Sequence, residues 1–422
     1  MFKKVLSLIL ALSMISAFAL AFTSCGGDDV VSDMTEAPLT EVELTKDFTV
    51  PDDFMIGVIC LHDEASTYDL NFINGVEKIK TVLGLSDSQV IYKKNIPESA
   101  LCTEAADDLV DQGCDIVFAN SFGHESFLLA SAKKHPEVQF CHATGTMAHT
   151  ADTPNFHNAF ASIYEGRYLA GVAAGLKLNE MIDSGKITAA EAKMGYAGAF
   201  TYAEVISGYT SFYLGGKSVC PSVTMEVQFT GSWYDEIKEK EAANALINNK
   251  CVLISQHADS MGAPSVCEER GVPNVSYNGS TDESCPGTFI VSSRIDWAPY
   301  YLYIIKQVCT GGTIATDWTG TIATGSVVLT GVNKTAAADG TFEKIQEVAG
   351  KLQDGSIKVF DIDTFTVNEQ TVNSYMADVD TDESFTPDTE AIKDGYFAES
   401  SDRSAPYFDI KIDGITLLNE KF

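Results

Sequence analysis

Basic residues are scarce in this 422-residue chain, which carries 28 lysines and arginines against 59 aspartates and glutamates. The formal net charge at pH 7 is therefore −31. So acidic a chain repels nucleic acids and anionic lipid headgroups, because their surfaces are negatively charged too. The composition thus argues against nucleic acid as a partner.

The sequence patterns of common catalytic sites are missing as well. No Gly-x-Ser-x-Gly elbow, His-Glu-x-x-His pair, phosphate-binding loop or Gly-x-Gly-x-x-Gly turn occurs. The seven histidines are dispersed, and the ten cysteines form no Cys-x-x-Cys pair, so no metal-ligand spacing is present. Cys60, Cys141 and Cys251 lie in apolar runs, where free cysteine behaves as a small hydrophobic residue. We expect no enzyme activity, no metal site and no cofactor.

Long hydrophobic runs are absent after the first 22 residues. The single such run follows Lys3 and Lys4 and ends shortly before Cys25. A short positive segment, an apolar core and small residues before a cleavage point indicate a secretory signal peptide, here residues 1–24, rather than a spanning helix. Because Ser24 directly precedes Cys25, we expect lipid on Cys25; the alternative is an ordinary signal peptide followed by a chance cysteine.

Residues 25–53 are polar and acidic, contain Pro38 and Pro51, and lack a sustained hydrophobic period. Such a composition cannot bury enough apolar surface to fold. We predict a flexible tether that joins the lipid to a folded part beginning at Phe54.

From residue 54 onward, short apolar runs alternate with amphipathic segments, which predicts parallel βαβ units and an α/β fold. The first strand is predicted at 55–61 and the first helix at 68–83. Because the pattern restarts near Tyr164, we divide the chain into lobe 1 (54–162) and lobe 2 (163–295), with residues 296–422 shared between them. Ligands bind such sheets beyond the carboxyl ends of the strands, so two facing lobes predict a cleft.

Several later elements are less regular in pattern. In the helix predicted at 235–249, Ile237 is expected to face inward, and Glu236 pairs with Lys240 one turn along. Residues 352–373 are predicted as a helix followed by a strand, and residues 408–418 as a strand with a turn at Asp413-Gly414.

Aromatic and polar residues recur just past the predicted strands. These segments are 62–68, 120–123, 200–202, 231–235, 256–260 and 278–280. Flat aromatic side chains can enclose a planar ligand, while amides and carboxylates can hydrogen-bond its edge. The alternative is that these residues are merely polar, exposed loop tips.

An ordered series of short motifs spans residues 54–307. It comprises Ser121-Phe122-Gly123, His142-Ala143-Thr144-Gly145, the run 164–175, Gly195-Tyr196, Trp233-Tyr234-Asp235, the loop 256–260 and Trp297-Ala298-Pro299-Tyr300-Tyr301. In order and spacing the series resembles the basic membrane protein family, the purine-nucleoside-binding lipoproteins of ABC importers. The loop at 256–260 and the helix start at Trp297 look closest to a branch associated with free purine bases such as adenine.

This resemblance implies a type I periplasmic-binding-protein fold: two Rossmann-like lobes joined by a hinge of three crossings, with a ligand cleft between them. It also implies that a purine stacks between Tyr68 and Trp233, each stacking contact contributing about 1–3 kcal/mol. Polar contacts to the base or ribose are expected from Asp69, Gln256, His257 and Asp259. Loop position adds Ser121, Phe122 and Phe200 as candidates, and the helix start that carries the resemblance adds Trp297. Glu165 and Arg167 are expected to have a structural role at a crossing.

Together these inferences predict a monomeric, extracytoplasmic, lipid-anchored protein that captures a purine base or nucleoside for an ABC permease. Because Ser66-Thr67 replaces the Asn-Asp pair often found in the family, base and nucleoside both remain open. Three alternatives also stay open: the same fold with a different small solute, a sensory lipoprotein, and a nucleoside-processing enzyme using Asp63 and Asp259.

Overall fold

The computed structural model describes residues 39–382 and 384–420. The predicted signal peptide, Cys25 and residues 25–38 of the predicted tether lie outside this range. Within it, no helix combines the length and apolarity needed to cross a bilayer.

The chain alternates strands and helices over most of its length. The first elements are β1 (Ile56–Ile59), α1 (Thr67–Leu83), β2 (Val90–Lys93), α2 (Ala100–Asp111), β3 (Ile116–Ala119), α3 (Glu125–Lys134), β4 (Gln139–Ala143), β5 (Phe156–Ala161) and α4 (Ile163–Asp183). There follow β6 (Lys193–Gly198), α5 (Ala203–Val219), β7 (Thr224–Phe229), α6 (Glu236–Asn248), β8 (Leu253–His257), α7 (Gly262–Arg270), β9 (Asn274–Tyr277), β10 (Phe289–Ile295), α8 (Ala298–Thr310), β11 (Asp317–Gly320), β12 (Val327–Leu329) and α9 (Thr341–Gln353). Five short strands complete the series: β13 (Met376–Ala377), β14 (Thr389–Glu390), β15 (Ile392–Lys393), β16 (Tyr396–Phe397) and β17 (Ile415–Leu417).

The first sheet has the strand order β11-β5-β4-β3-β1-β2, with all neighbours parallel. Successive side chains of a strand point to opposite faces, so Val58 of β1 packs on the α1 side while Ile59 packs with α2 and α3. Helix α1 begins where Ser66 accepts a hydrogen bond from the Asp69 backbone N–H, and it ends at Gly84, whose φ is 71°.

The second sheet has the order β12-β10-β9-β8-β6-β7-β17. All neighbours are parallel except β12, which runs antiparallel to β10. Helices α6 and α7 cover one face, where Leu246 and Val266 pack against Ile254. The predicted α/β class with parallel sheets is therefore confirmed.

The chain passes between the sheets three times, after β5, after β10 and after β11, and these crossings touch one another. The backbone N–H of Ser162 donates to the carbonyl of Gly320 at 2.8 Å, and that of Asp296 donates to Ser326 at 2.8 Å. The Glu165 carboxylate accepts from Ser162 Oγ at 2.6 Å and from the Ile322 N–H at 3.2 Å. Glu165 thus connects two crossings, in line with its expected structural role.

Some predicted elements are wrong. Residues 352–373 do not form a helix and a strand, because α9 ends at Gln353 and the following residues are irregular. Of the strand predicted at 408–418, only Ile415–Leu417 forms, pairing with β7. Ile237 is 71% exposed rather than inward-facing, although the Glu236–Lys240 pair is present.

Residues 39–53, which were predicted as part of the tether, contact both halves of the fold. Leu39 forms a backbone bridge with Leu329 beside the second sheet. Lys46 Nζ donates to the Leu83 carbonyl at 2.8 Å, at the end of α1.

The C-terminal residues also contact both sheets. The Ser404 N–H donates to Asp317 Oδ2 of β11 at 2.8 Å, while Asn419 bonds to Phe229 at the end of β7.

The nine cysteines of the described residues are all free, and every one except Cys309 is buried. Cys60, Cys141 and Cys251 lie in the hydrophobic cores, as predicted. Burial raises the pKa of the Cys102 and Cys141 thiols to about 12, so these groups stay protonated at neutral pH.

Candidate functional site

A cavity lies between the two sheets, at the carboxyl ends of their strands, and the empty space there is about 410 Å³ with the adjoining open solvent included. We define its first-sheet wall as Leu61, His62, Tyr68, Asp69, Ser121, Phe122 and Thr144. Its second-sheet wall is formed by Glu204, Trp233, His257, Asp259, Tyr277 and Asn278. Sites in open α/β sheets occur at this end because the loops that follow parallel strands converge there.

On the first-sheet wall, Asp69 is 1% exposed and largely satisfied by the protein. Its Oδ1 accepts from the His62 N–H at 3.1 Å and from Asn120 Nδ2 at 2.7 Å. Burial alone would raise the pKa of Asp69, but hydrogen bonds from His62, Asn120 and Ser66 outweigh it and hold the pKa below its usual value. Asp69 is therefore a carboxylate at neutral pH; its Oδ2 lies 3.4 Å from His62 Nδ1 and accepts no normal hydrogen bond from the described residues.

Tyr68 precedes Asp69 in the first turn of α1, and its ring is held by two contacts. The hydroxyl donates to the Asn120 carbonyl at 2.7 Å. The ring meets Phe72 edge-on, with 4.9 Å between centroids. Tyr68 is thus fixed in position before any ligand arrives.

On the second-sheet wall, His257 is buried at the end of β8. Its Nδ1 lies 3.4 Å from Tyr196 Oη, and its Nε2 lies 3.5 Å from Glu204 Oε1, longer than a normal hydrogen bond. Burial lowers the pKa of His257 and outweighs the opposing effect of Glu204, with a smaller lowering from the charge of Arg167. The imidazole is therefore neutral at pH 7.

Asp259 follows the same strand and is also buried. Its Oδ1 accepts from Asn278 Nδ2 at 2.9 Å. Burial raises the pKa of Asp259 well above its usual value, and the charges of Glu239 and Asp69 raise it further. Its carbonyl accepts from the Thr67 N–H at 3.3 Å, which connects the two walls.

Arg167 lies directly beneath the second-sheet wall and is fully buried. Its guanidinium donates to Ser255 Oγ, Tyr196 Oη, Ser276 O and Ser293 Oγ at 2.7, 3.2, 3.2 and 3.3 Å. It also lies over the Tyr277 ring, 5.2 Å from the centroid. Within the described part of the chain no carboxylate pairs with it, so its charge is balanced by hydroxyl, carbonyl and aromatic groups.

Aromatic side chains from both walls meet at the rim. Trp233 packs edge-on against Phe200 with centroids 5.1 Å apart, and Phe200 stacks on Tyr202 at the same separation. Tyr202 in turn lies 5.8 Å from Phe122 of the first-sheet wall. The two walls therefore touch, and the structure represents a closed form of the cleft.

The predicted site residues divide into two groups. Seven line the cavity: Tyr68, Asp69, Ser121, Phe122, Trp233, His257 and Asp259. Phe200 lies behind Trp233. Gln256 faces the opposite side of the sheet from His257 and accepts from Asn274 Nδ2 at 3.0 Å. Trp297 is a core residue stacked on Phe72 at 4.3 Å, so neither Gln256 nor Trp297 lines the cavity.

The predicted set missed several lining residues. They are Leu61, His62, Thr144, Glu204, Tyr277 and Asn278. His62 and Asn278 lie in segments singled out for their position after strands. Thr144 and Asn278 have φ of 67° and 65°, a conformation in which non-glycine residues are uncommon. Glu204 could have been found from its place in the first turn after the Phe200–Tyr202 segment.

Three of the lining residues are acidic, Asp69, Glu204 and Asp259, and none is lysine or arginine. Across residues 39–382 and 384–420, no three His, Cys, Asp or Glu side chains are grouped to hold a metal ion. The cavity therefore presents acceptor oxygens and aromatic surface to a ligand.

A model of the protein family described as PnrA-like ABC transporter substrate-binding proteins matches residues 57–364. Over 223 residues, 53% of this chain, the sequence is 33% identical to a purine-binding protein of Brucella abortus. Over 215 residues, 51% of this chain, it is 30% identical to a Haloferax volcanii protein named as an ABC transporter glucose-binding protein. The matched regions span 59% and 51% of these relatives.

The fold also matches a solved structure. An ABC transporter solute-binding protein from Conexibacter woesei superposes with a TM-score of 0.59 at 19% identity, covering 72% of this chain and 98% of the other. This likeness concerns the fold alone and confirms the predicted type I periplasmic-binding architecture.

Proposed function

The chain belongs to the PnrA-like family of ABC transporter substrate-binding proteins, and from this premise we propose that it captures a purine base or nucleoside and delivers it to an ABC permease. The observation that carries the proposal is the pairing of Tyr68 and Trp233 on opposite walls of one cavity. The name of the Brucella relative supports the choice of a purine.

The ligand's ring is proposed to lie against Tyr68 and Trp233. Stacking of a base on an aromatic side chain contributes about 1–3 kcal/mol and tolerates any base, because each has a π face. Discrimination among bases then depends on the polar groups at the ring edge. The unpartnered Asp69 Oδ2 and His257 Nε2 are buried at the cavity and have capacity for such contacts.

The lobes 54–162 and 163–295 are proposed to move about the three touching crossings. The wall-to-wall contacts of the closed form would then separate, which admits the ligand. Scattering that detects no compaction on addition of a tight ligand would contradict this motion.

The protein is proposed to act outside the cytoplasm as a monomer, anchored by lipid on Cys25 after loss of residues 1–24. Thirteen residues separate Cys25 from Leu39, where the described chain begins. A chain of that length spans at most about 50 Å. The anchor would therefore keep the cavity near the membrane and its permease.

The test is a thermal-shift and tryptophan-fluorescence panel on the chain from Gly26 onward. Solutes are adenine, guanine, hypoxanthine, their nucleosides, uridine, ribose, glucose and several amino acids. A ligand that binds only the folded state raises the melting temperature, so a large shift is expected with a purine. Mass spectrometry of recovered adenosine should find it intact; release of adenine and ribose would instead indicate a hydrolase.

A sugar is the second candidate, favoured by the name of the Haloferax relative. Acidic side chains accept hydrogen bonds from sugar hydroxyls as readily as from ring N–H groups. A shift with glucose and none with any purine would keep the family and replace the ligand.

A further inference from the structure

Glu204 occupies the first turn of α5 and directs its side chain to the cavity. In the described part of the chain, no protein group donates a normal hydrogen bond to its carboxylate. His257 Nε2 lies 3.5 Å from Oε1, longer than a normal hydrogen bond. The side chain is only 14% exposed, so water reaches it poorly.

The other cavity acids are in a different position. Asp69 accepts two hydrogen bonds through Oδ1, from His62 and Asn120. Asp259 accepts one from Asn278. A carboxylate removed from water without donors is costly, and such groups in native proteins call for an explanation. Glu204 therefore has acceptor capacity that the protein itself does not use.

Neighbouring cationic groups do not use that capacity either. Arg167 donates its hydrogen bonds to Ser255, Tyr196 and β-strand groups beneath the wall. His257 is neutral, because burial lowers its pKa more than Glu204 raises it, and its Nε2 lies 3.5 Å from Glu204 Oε1, too far for a normal hydrogen bond. A donor on the bound molecule would use the acceptor capacity that these contacts leave free.

We propose that Glu204 is a specificity-determining residue whose carboxylate accepts a hydrogen bond from an N–H donor on the ligand. A ring with an amino substituent at that edge is then bound in preference to the same ring with a carbonyl, whose oxygen would face the carboxylate. Anionic solutes are rejected, since the lining contains no lysine or arginine. The inference rests on the proposed function only for the identity of the ring.

The experiment is titration calorimetry of matched ligand pairs, adenine against hypoxanthine and adenosine against inosine. The wild type should prefer the amino member by about tenfold or more, the range expected for a hydrogen bond to a charged group. Glu204→Gln should weaken binding of the amino member by roughly tenfold to a hundredfold. It should leave the carbonyl member unchanged or tighter, because an amide can donate to a carbonyl. Glu236→Gln, an exposed carboxylate on the same lobe, is the control and should change neither affinity.

An unchanged amino preference in Glu204→Gln overturns the inference, as does a wild type that prefers hypoxanthine. If Glu204→Gln fails to fold, Glu204→Asp replaces it. Its shorter side chain keeps the charge, so the preference should shrink without reversing; an undiminished preference would count against the inference.

A different binding result would show that the proposed purine ligand is wrong while the role of Glu204 can still be tested. If only sugars bind the wild type, the inference is judged with glucosamine, glucose and glucuronate. If Glu204 accepts a hydrogen bond from the ligand, glucosamine should bind more tightly than glucose, and glucose more tightly than glucuronate. The preference for glucosamine should be lost in Glu204→Gln. Equal affinities of the three sugars overturn the inference. Absence of binding by every solute of both panels overturns the inference and the proposed function together.

Discussion

The first-sheet wall and the second-sheet wall both contain aromatic rings and carboxylates, but these groups differ in the hydrogen bonds that they receive from the protein. Asp69 and Tyr68 are bound by Asn120 and His62 on the same wall. On the opposite wall, Glu204 lacks donors, Asp259 has a raised pKa and His257 is neutral above a buried arginine. Hydrogen bonds within the protein hold Tyr68 and Asp69 of the first-sheet wall in place, whereas Glu204 of the second-sheet wall receives no normal hydrogen bond. Under our proposals, the first-sheet wall positions the ligand and the second-sheet wall selects it.

The largest expected effect concerns Arg167, which supports only the second-sheet wall. Arg167→Met removes four donated hydrogen bonds. Ser293 Oγ then loses its partner, whereas Ser255 Oγ keeps its bond to the Val275 carbonyl and Tyr196 Oη keeps its contact with His257 Nδ1. We expect a loss of about 1–3 kcal/mol in unfolding free energy, the cost of a buried group left unsatisfied. Urea unfolding measures it. Arg270→Met, at an exposed arginine, is the control; equal stabilities of the two variants would contradict a supporting role.

The next largest expected effect is on purine affinity, and it differs between the aromatic residues of the two walls. Trp233→Ala should weaken purine binding roughly tenfold or more, through the lost stacking energy. Tyr68→Phe keeps its ring and loses only the hydroxyl bond to Asn120, so its effect should be smaller. Calorimetry with the best purine of the panel is the measurement, and Ile237→Ala, at an exposed position of α6, is the control. Unchanged affinity in Trp233→Ala would remove that residue from the stacking pair.

The smallest expected effect is on the pH dependence of the unfolding free energy, to which Asp259 and Asp69 contribute with opposite signs. Folding raises the pKa of Asp259 above 3.8, so its contribution to stability is full below that pH and is lost as pH rises towards the folded-state value. Folding lowers the pKa of Asp69, whose contribution is present above 3.8 and is lost as pH falls through the folded-state value.

Asp259→Asn should therefore gain stability over the wild type as pH rises from about 4 to 7, because an amide has no carboxyl proton to lose. Asp69→Asn should lose stability at pH 7, with the deficit shrinking in acid. Urea unfolding at several pH values measures both. Differences that stay constant with pH in either variant would contradict these assignments.

The sequence predicted the fold class and most cavity residues because both follow from local pattern. Tyr68 and Trp233 each come shortly after a strand, and parallel strands bring such positions to one edge of a sheet. The sequence did not distinguish Gln256 from His257, since adjacent strand residues face opposite sides and only the sheet's register decides which faces the cavity. Trp297 was predicted to contact the ligand but lies in the core, because an aromatic residue at a helix start can pack in a core as readily as against a ligand.

Strand β10 was missed for a related physical reason. Its sequence ends in Ser292-Ser293-Arg294-Ile295, which has too little hydrophobicity to predict a buried central strand. Ser293 is buried there because it accepts a hydrogen bond from Arg167. The irregular residues after α9 have no period at all, since bonds such as those from the Thr366 hydroxyl and the Glu369 N–H to Asp413 organise them instead.

The nine free cysteines of the described residues bear on whether the protein can refold after denaturation rather than on how it binds a ligand. While the chain is folded, eight of these thiols are buried and so shielded from oxidants, and burial raises the pKa of Cys102 and Cys141 to about 12. Unfolding exposes them together, and none of the nine has a disulfide in the described structure to return to. Heat denaturation should then be reversible under a reductant and become progressively irreversible without one, so oxygen acts on the unfolded chain rather than on the folded protein.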